Sequence, residues 1–384
     1  MKKLVSLTLA LLLALTTLAS LSPAAAENAE TEPVTFVNKG GILSMLNLSE
    51  EETENLLSAC RLINGQLARE GYQQTIIDEG TVDMNPFTAA NVQIVYDLVY
   101  FDTLDAMLMA LNVGDINFIN LYSTTADYLC ANDDRLIQLL RYQGLKDTES
   151  VFVKRMFEGI LSNDFAFMML EGNEALRDAF NAAIADVRAD GTLTRLAVDH
   201  IDAAIAGKDI APVEMPKTDG AETVRVAITG ALPPMDYIAS DGTPAGFNTA
   251  LLAEISQRTG KNIELVQVDS MGRAAALSSG VVDAVFWTRT NAVSNRIATM
   301  TRQERDANIL ELMDSFTEEE REIFIQVRAA FDFAEYGAID MPEGTIITDA
   351  YYSDYITPVM LKTAVDANKA KFAAAAADAA DEAP

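Results

Sequence analysis

Two cysteines, one histidine and one tryptophan are all that 384 residues supply of these types. A zinc site of the usual kind takes three or four ligands drawn mainly from Cys and His, so this inventory leaves little to build one with. No metal or cofactor is expected. Cys60 and Cys130 can pair in an oxidising compartment or stay as two free thiols, and their spacing decides neither. Basic residues are scarce as well: 28 Lys and Arg stand against 57 Asp and Glu, a net charge of −29. So acidic a surface repels phosphate backbones and anionic headgroups, which argues against nucleic-acid binding and a peripheral membrane role. It leaves the sign of a local pocket open. The sequence also lacks G-x-S-x-G and any nucleophile–base motif. The single histidine, His200, sits in LAVDHIDAAIAG, which reads as a helix. No catalytic residue is assigned, and the chain is read as a binder rather than an enzyme.

What is present begins with MKKLVSLTLALLLALTTLASLSPAAA. Lys2 and Lys3 form a positive start, an apolar stretch runs from Leu4 to about Leu18, and Ala24–Ala26 offer small residues for cleavage. Residues 1–26 are thus expected to be a signal peptide, with export and a mature start near Glu27. No cysteine follows the apolar stretch to take a lipid. No later run reaches the 18 or so apolar residues of a membrane span.

Two segments mirror each other. Thr103–Phe118, TLDAMLMALNVGDINF, and Met271–Phe286, MGRAAALSSGVVDAVF, each carry a short helix pattern ending in Ala-Leu. Each then has a glycine, Gly114 or Gly280, followed by a strand pattern. A glycine at that place suits a helix end that needs positive φ. Each segment follows a β-rich run, NVQIVYDLVYF or NIELVQVDS, so each half is expected to hold a parallel strand–helix–strand sheet. Between them GKDIAPVEMPKTDGAE reads as a linker. The expected division is 34–207 as a first α/β lobe, 208–222 as linker and 223–365 as a second lobe with a helical insert at about 301–340. An Ala-rich tail closes the chain at 366–384. Ser49–Glu52 and Thr317–Glu320 fit the capping box, a structural role.

The stretch VRVAITGALPPMDYIASDGTPAGFNTALLAEISQRTGKNIELVQVDSMGRAAALSSGVVDAVFWTRT, residues 224–290, resembles the bacterial family 3 extracellular solute-binding proteins. It has the first strand, a Pro-Pro turn, a D-G-x-x-x-G-F turn into a helix, then strand, helix and V-D strand. YYSDYITPVMLK, residues 351–362, resembles the strand by which such proteins pass from this lobe to the other. Residues 99–129 and 164–196 resemble the other lobe, the latter as its closing strand and final helix, with N-A-A-I and D-G-T-L. The resemblance implies an α/β, two-lobed, type II periplasmic-binding fold. The normally inserted lobe comes first here, which implies circular permutation. It further implies a monomer that captures a small polar, carboxylate-bearing, amino-acid-like ligand and hands it to the membrane permease of an ABC-type transporter. A sensory or scaffold module is the alternative, and a dehydratase-like enzyme a further one.

Ligands of open α/β sheets sit beyond the C-terminal ends of the strands. After the first strand of the second lobe, Asp236 can accept from an amino group and Tyr237 can wall the ligand. The resemblance implies that Arg273, seven residues before Gly280, reaches a ligand carboxylate. It also implies that Thr288 and Thr290, with Arg296 one residue later than usual, hold an α-carboxylate. Trp287 lines the cleft or packs, and Phe286, on the opposite strand face, is core. In the other lobe the family's acid for an amino group aligns with Tyr122, and Ser123 and Thr124 follow as hydroxyl donors or helix caps.

Overall fold

A computed structural model describes residues 34–43, 92–138, 162–210, 212–269, 272–290, 313–314, 316–318, 321 and 343–367. The signal segment, Cys60, the first capping box, Arg296, and most of the 301–340 insert and the Ala-rich tail lie outside them. Among the described residues no helix is long and apolar enough to cross a membrane.

The β-rich runs become strands as their composition dictates. β1 (Val34–Leu43) and β2 (Val92–Phe101) pair in parallel along their whole length. α1 (Leu104–Val113) follows, its first turn capped by Thr103 Oγ1, which accepts from Ala106 N at 3.3 Å. The helix ends where Gly114 takes φ 82°, a left-handed value that an L side chain resists. β3 (Phe118–Tyr122) then pairs in parallel with β1, and α2 (Ser123–Asn132) and β4 (Leu136–Gln138) complete the N-terminal half.

The second half repeats the plan. β6 (Thr223–Ile228) leads through the small strands β7 (Ala231–Leu232), β8 (Asp236–Ile238) and β9 (Pro244–Ala245) into α6 (Phe247–Thr259). β10 (Asn262–Gln267), α7 (Arg273–Ser278) and β11 (Ala284–Thr290) follow. β6 is parallel to both β10 and β11, and Gly280, at φ 70°, closes α7 as Gly114 closes α1. Each half thus has the expected parallel sheet, and the chain is α/β.

Strand pairing crosses the expected division between the lobes. β5 (Ser162–Leu170) and the helix after it, α3 (Glu174–Ala189), were assigned to the first lobe. In the structure β5 is antiparallel to β11, with Val285 opposite Met168 and Thr290 opposite Asp164. β12 (Thr345–Ile347) also pairs with β5. α3 packs on α6, and Arg258 Nη2 of α6 lies 2.7 Å from Asp190 beyond α3. α4 (Thr192–Leu196) and the π-helical turn Ala197–Asp202 also pack on α6, whereas α5 (Ala203–Ile205) packs on α2 of the N-terminal half. The physical reason is burial. Phe165, Phe167 and Met169 are fully buried on one face of β5, where Phe165 meets Tyr122 and Phe167 meets Phe180 of α3, Phe286 of β11 and Tyr351. The segment 208–222 runs from α5, which packs on α2, to β6 of the second half.

β13 (Tyr352–Leu361) joins the two sheets into a ten-stranded one of order β10-β6-β11-β5-β13-β3-β1-β2, with β12 and β4 off this path. Tyr352–Tyr355 pair with β5, and Ile356–Met360 pair with β3. Partner exchange within one strand marks the junction between halves, where the sequence resemblance put a crossing strand. A single apolar cluster runs through both halves, from Ile42 and Met107 to Phe247 and Phe286.

Candidate functional site

Parallel strands β6, β10 and β11 deliver three connections to one edge of their sheet: Thr229–Gly246, Val268–Gly272 and the end of β11. Arg273 heads the second helix there. It is 8 % exposed, and its Nε and Nη2 find no hydrogen-bond partner among the described residues. Burial pushes its pKa down, opposed by the charge of Asp236 and by Tyr351. The Nε–Nη2 edge is one that grips a carboxylate through two parallel bonds. Thr288 Oγ1, on β11, is likewise buried and unpartnered among the described residues. The β5–β11 register shifts between Val285 and Thr288, a bulge of the kind that re-aims side chains near sites. Trp287 and Thr290 lie on the same strand. Phe286 is core, as its strand position required.

Asp236 serves the fold rather than standing open. Its carboxylate accepts from Thr229 N at 2.8 Å, Thr229 Oγ1 at 2.7 Å and Gly230 N at 3.1 Å, tying the end of β6 to β8. Full burial pushes its pKa up to about 6 against those bonds and the charge of Arg273. Tyr237 beside it is half-buried, and burial followed by nearby Tyr128 of α2 raises its hydroxyl pKa.

On the facing half the expected residues are engaged internally. Tyr122 is buried, its ring edge-on to Phe165 with centroids 4.8 Å apart, so it packs between β3 and β5 and does not replace the absent acid. Ser123 Oγ donates to Asp354, Thr124 N donates to Asp354 Oδ2 at 3.2 Å, and Tyr355 N donates to Asp354 Oδ1 at 2.7 Å. Thr124 Oγ1 lies 2.8 Å from the Tyr352 hydroxyl, and the Tyr352 ring sits 5.1 Å from Phe247 of α6. β13 thus places Tyr352 between the first turn of α2 and the first turn of α6. Desolvation pushes the Asp354 carboxyl up to about 6 despite its hydrogen bonds. Asp354 and Tyr352 were missed from sequence. The available signal was an acid inside the apolar run of a crossing strand, which a buried strand keeps only when its oxygens are satisfied.

His200 lies in the π-helical turn, half-buried, with burial lowering its pKa against Asp199. Among the described residues no group of three or more His, Cys, Asp or Glu converges to hold a metal ion.

No curated protein matches the chain. Among solved structures, similar chains include the zinc-bound ligand-binding component of an ABC-type import system from Staphylococcus aureus. That match has 10 % identity and a TM-score of 0.35, and covers 89 % of this chain and 72 % of that one. The periplasmic aliphatic sulphonate binding protein of Escherichia coli is similar at 11 % identity and TM-score 0.30, again covering 89 % and 72 %. Residues 224–309, which include β6 to β11 and the edge carrying Arg273, match the family model of the bacterial extracellular solute-binding proteins, family 3, so the family resemblance read from residues 224–290 is shown.

Proposed function

We propose that the chain is an extracytoplasmic solute-binding protein of an ABC-type importer that captures a small carboxylate-bearing ligand between its halves. Arg273 carries this reading. A buried guanidinium with an open two-donor edge is costly unless an anion meets it, and a planar carboxylate matches that edge. Thr288 Oγ1, on the neighbouring strand, adds a donor. Trp287, Thr290 and Arg296 complete the proposed set, and Tyr237 walls it. Closure about β13 desolvates the ligand and selects the bound state. The family match of residues 224–309 supports capture over catalysis. The order of the segments that resemble the two lobes, with the usually inserted lobe first, supports a circular permutation.

The test is a thermal-shift and calorimetric screen of amino acids, dicarboxylates and short peptides. A carboxylate ligand is expected to raise the melting temperature in proportion to the logarithm of its concentration above its Kd. Arg273→Ala is expected to weaken that ligand by about 10- to 150-fold, the loss of a charge-assisted bond of about 1.5–3 kcal/mol. Binding that survives the substitution unchanged overturns the assignment. A second reading, a scaffold whose cleft no longer binds, is favoured by Asp354 already occupying Ser123 and Thr124. It predicts no shift with any compound of the screen.

A further inference from the structure

Asn248, the second residue of α6, is 1 % exposed, yet neither Nδ2 nor Oδ1 has a hydrogen-bond partner among the described residues. A buried carboxamide in that state is a standing cost to the fold, and native proteins seldom keep one without a guest to satisfy it. The backbone around it is pinned. Asn248 N donates to Met235 O at 2.9 Å, and Phe247 N donates to Pro234 O at 3.1 Å. At Gly246, with φ 102°, a Cβ would lie 2.5 Å from Met235 O, so only glycine lets the helix start this close to the turn. The neighbouring side chain is satisfied too, since Thr249 Oγ1 donates to Ala245 O at 3.0 Å.

β6 and β10 are parallel neighbours, so the connections that follow them open α6 at Phe247 and α7 at Arg273 on the same edge of the sheet. Phe247, which precedes Asn248, places its ring 5.1 Å from that of Tyr352 on β13. Arg273 and Asn248 are thus two unmet buried polar side chains at the same edge of one sheet.

We infer that Asn248 reads an amide group on the ligand whose carboxylate Arg273 holds, an assignment that rests on the capture function proposed above. A side-chain carboxamide presents one donor and one acceptor side by side, and its complement is another amide, which closes two hydrogen bonds at once. The ligand class is then a small carboxylate that also bears a carboxamide or a peptide bond.

The test compares two pairs of probes, succinate with succinamate and glutarate with glutaramate, by calorimetry and thermal shift. The wild-type protein is expected to prefer the monoamide of at least one pair by about ten-fold, the value of two neutral hydrogen bonds. Asn248→Leu replaces the two unmet groups by methyls on the same branched skeleton. It is expected to raise the melting temperature of the ligand-free protein while abolishing the preference and leaving the Arg273-dependent part of binding. Asn248→Ala, should the leucine variant not fold, is expected to lose the preference likewise. A carboxamide that merely serves the fold gives the opposite pattern: a lower ligand-free melting temperature and an intact preference. Binding of both members of each pair with equal affinity by the wild type overturns this inference alone. Failure of all four probes and of every other carboxylate overturns the Arg273 reading and this one with it.

Discussion

Phe167→Ala is expected to destabilise the fold by about 3–5 kcal/mol, the range for emptying a buried phenylalanine site that cannot collapse. Phe167 is fully buried on β5 and touches α3, β11 and the connection from β12 to β13 at once. Its ring meets Phe180 of α3 edge-on at 5.3 Å, Phe286 of β11 at 6.4 Å, and Tyr351, at the entry to β13, at 4.8 Å. Its backbone is also fixed, donating to Thr348 Oγ1 and accepting from Thr348 N, each at 3.0 Å. The ring therefore leaves a cavity walled by rigid strands. Domains are stable by only about 5–15 kcal/mol, so the loss is a large share. Urea titration or calorimetry measures it. Met109→Ala, at a side chain 68 % exposed on α1, is the control and should stay within about 0.5 kcal/mol. A loss at Phe167 as small as the control's would mean that β5 does not pack against β11 and α3.

The second large effect is on pH. Asp236 and Asp354 are both buried, and desolvation lifts each to about 6 from 3.8. The folded state therefore holds two protons that the unfolded chain has released between those values. The stability they contribute is fully present below pH 3.8 and is lost as pH rises through about 6. Two pKa units correspond to about 3 kcal/mol for each group, an order-of-magnitude figure. Other carboxylates run the opposite way. Asp190, hydrogen-bonded by Thr192 and Arg258, is held down at about 2, and Asp133, Asp241 and Asp283 are also lowered. Their stabilisation is present above the normal carboxylate range and lost as pH falls through their folded values. The melting temperature is thus expected to be higher near pH 5 than at pH 7.5, and to drop again in strong acid. Asp354→Asn and Asp236→Asn each remove one titrating group, so each variant should show a shallower slope between pH 4.5 and 7, whatever its absolute stability. A wild-type profile that rises steadily from pH 5 to 8 would contradict both assignments.

The parallel units were readable because their signals are local. The β-rich run NVQIVYDLVYF and the glycines at 114 and 280 act within a few residues of where they are written. The position of β5 was not readable in that way. FAFMML announces a buried strand but carries nothing about which strands cover it. Its partner, opposite Met168, is Val285, far along the chain. At the site, Arg273 could be singled out because the family resemblance places an arginine seven residues before Gly280. Asp236 was expected to face a ligand, yet the hydroxyl and amides of Thr229 and Gly230 lie close enough in sequence to claim it first. Asp354 is the converse case. The donors that make its burial tolerable, Ser123 and Thr124, come from the other end of the chain and appear only when β13 lies beside β3.

The placement of β5 has a consequence for biosynthesis. The strand leaves the ribosome before both of its covering strands, and β13 is translated only after β6 to β12. At about 5–20 residues per second, the interval between β5 and β13 is on the order of ten to forty seconds. Until β11 emerges, Phe165, Phe167 and Met169 sit on a strand with two unpaired edges, and until β13 emerges one edge stays open, an arrangement prone to pairing with other chains. The nascent protein therefore has to keep this segment shielded, whether by a holding chaperone or by transient contact with α3, until β13 arrives and closes both sheets in one step.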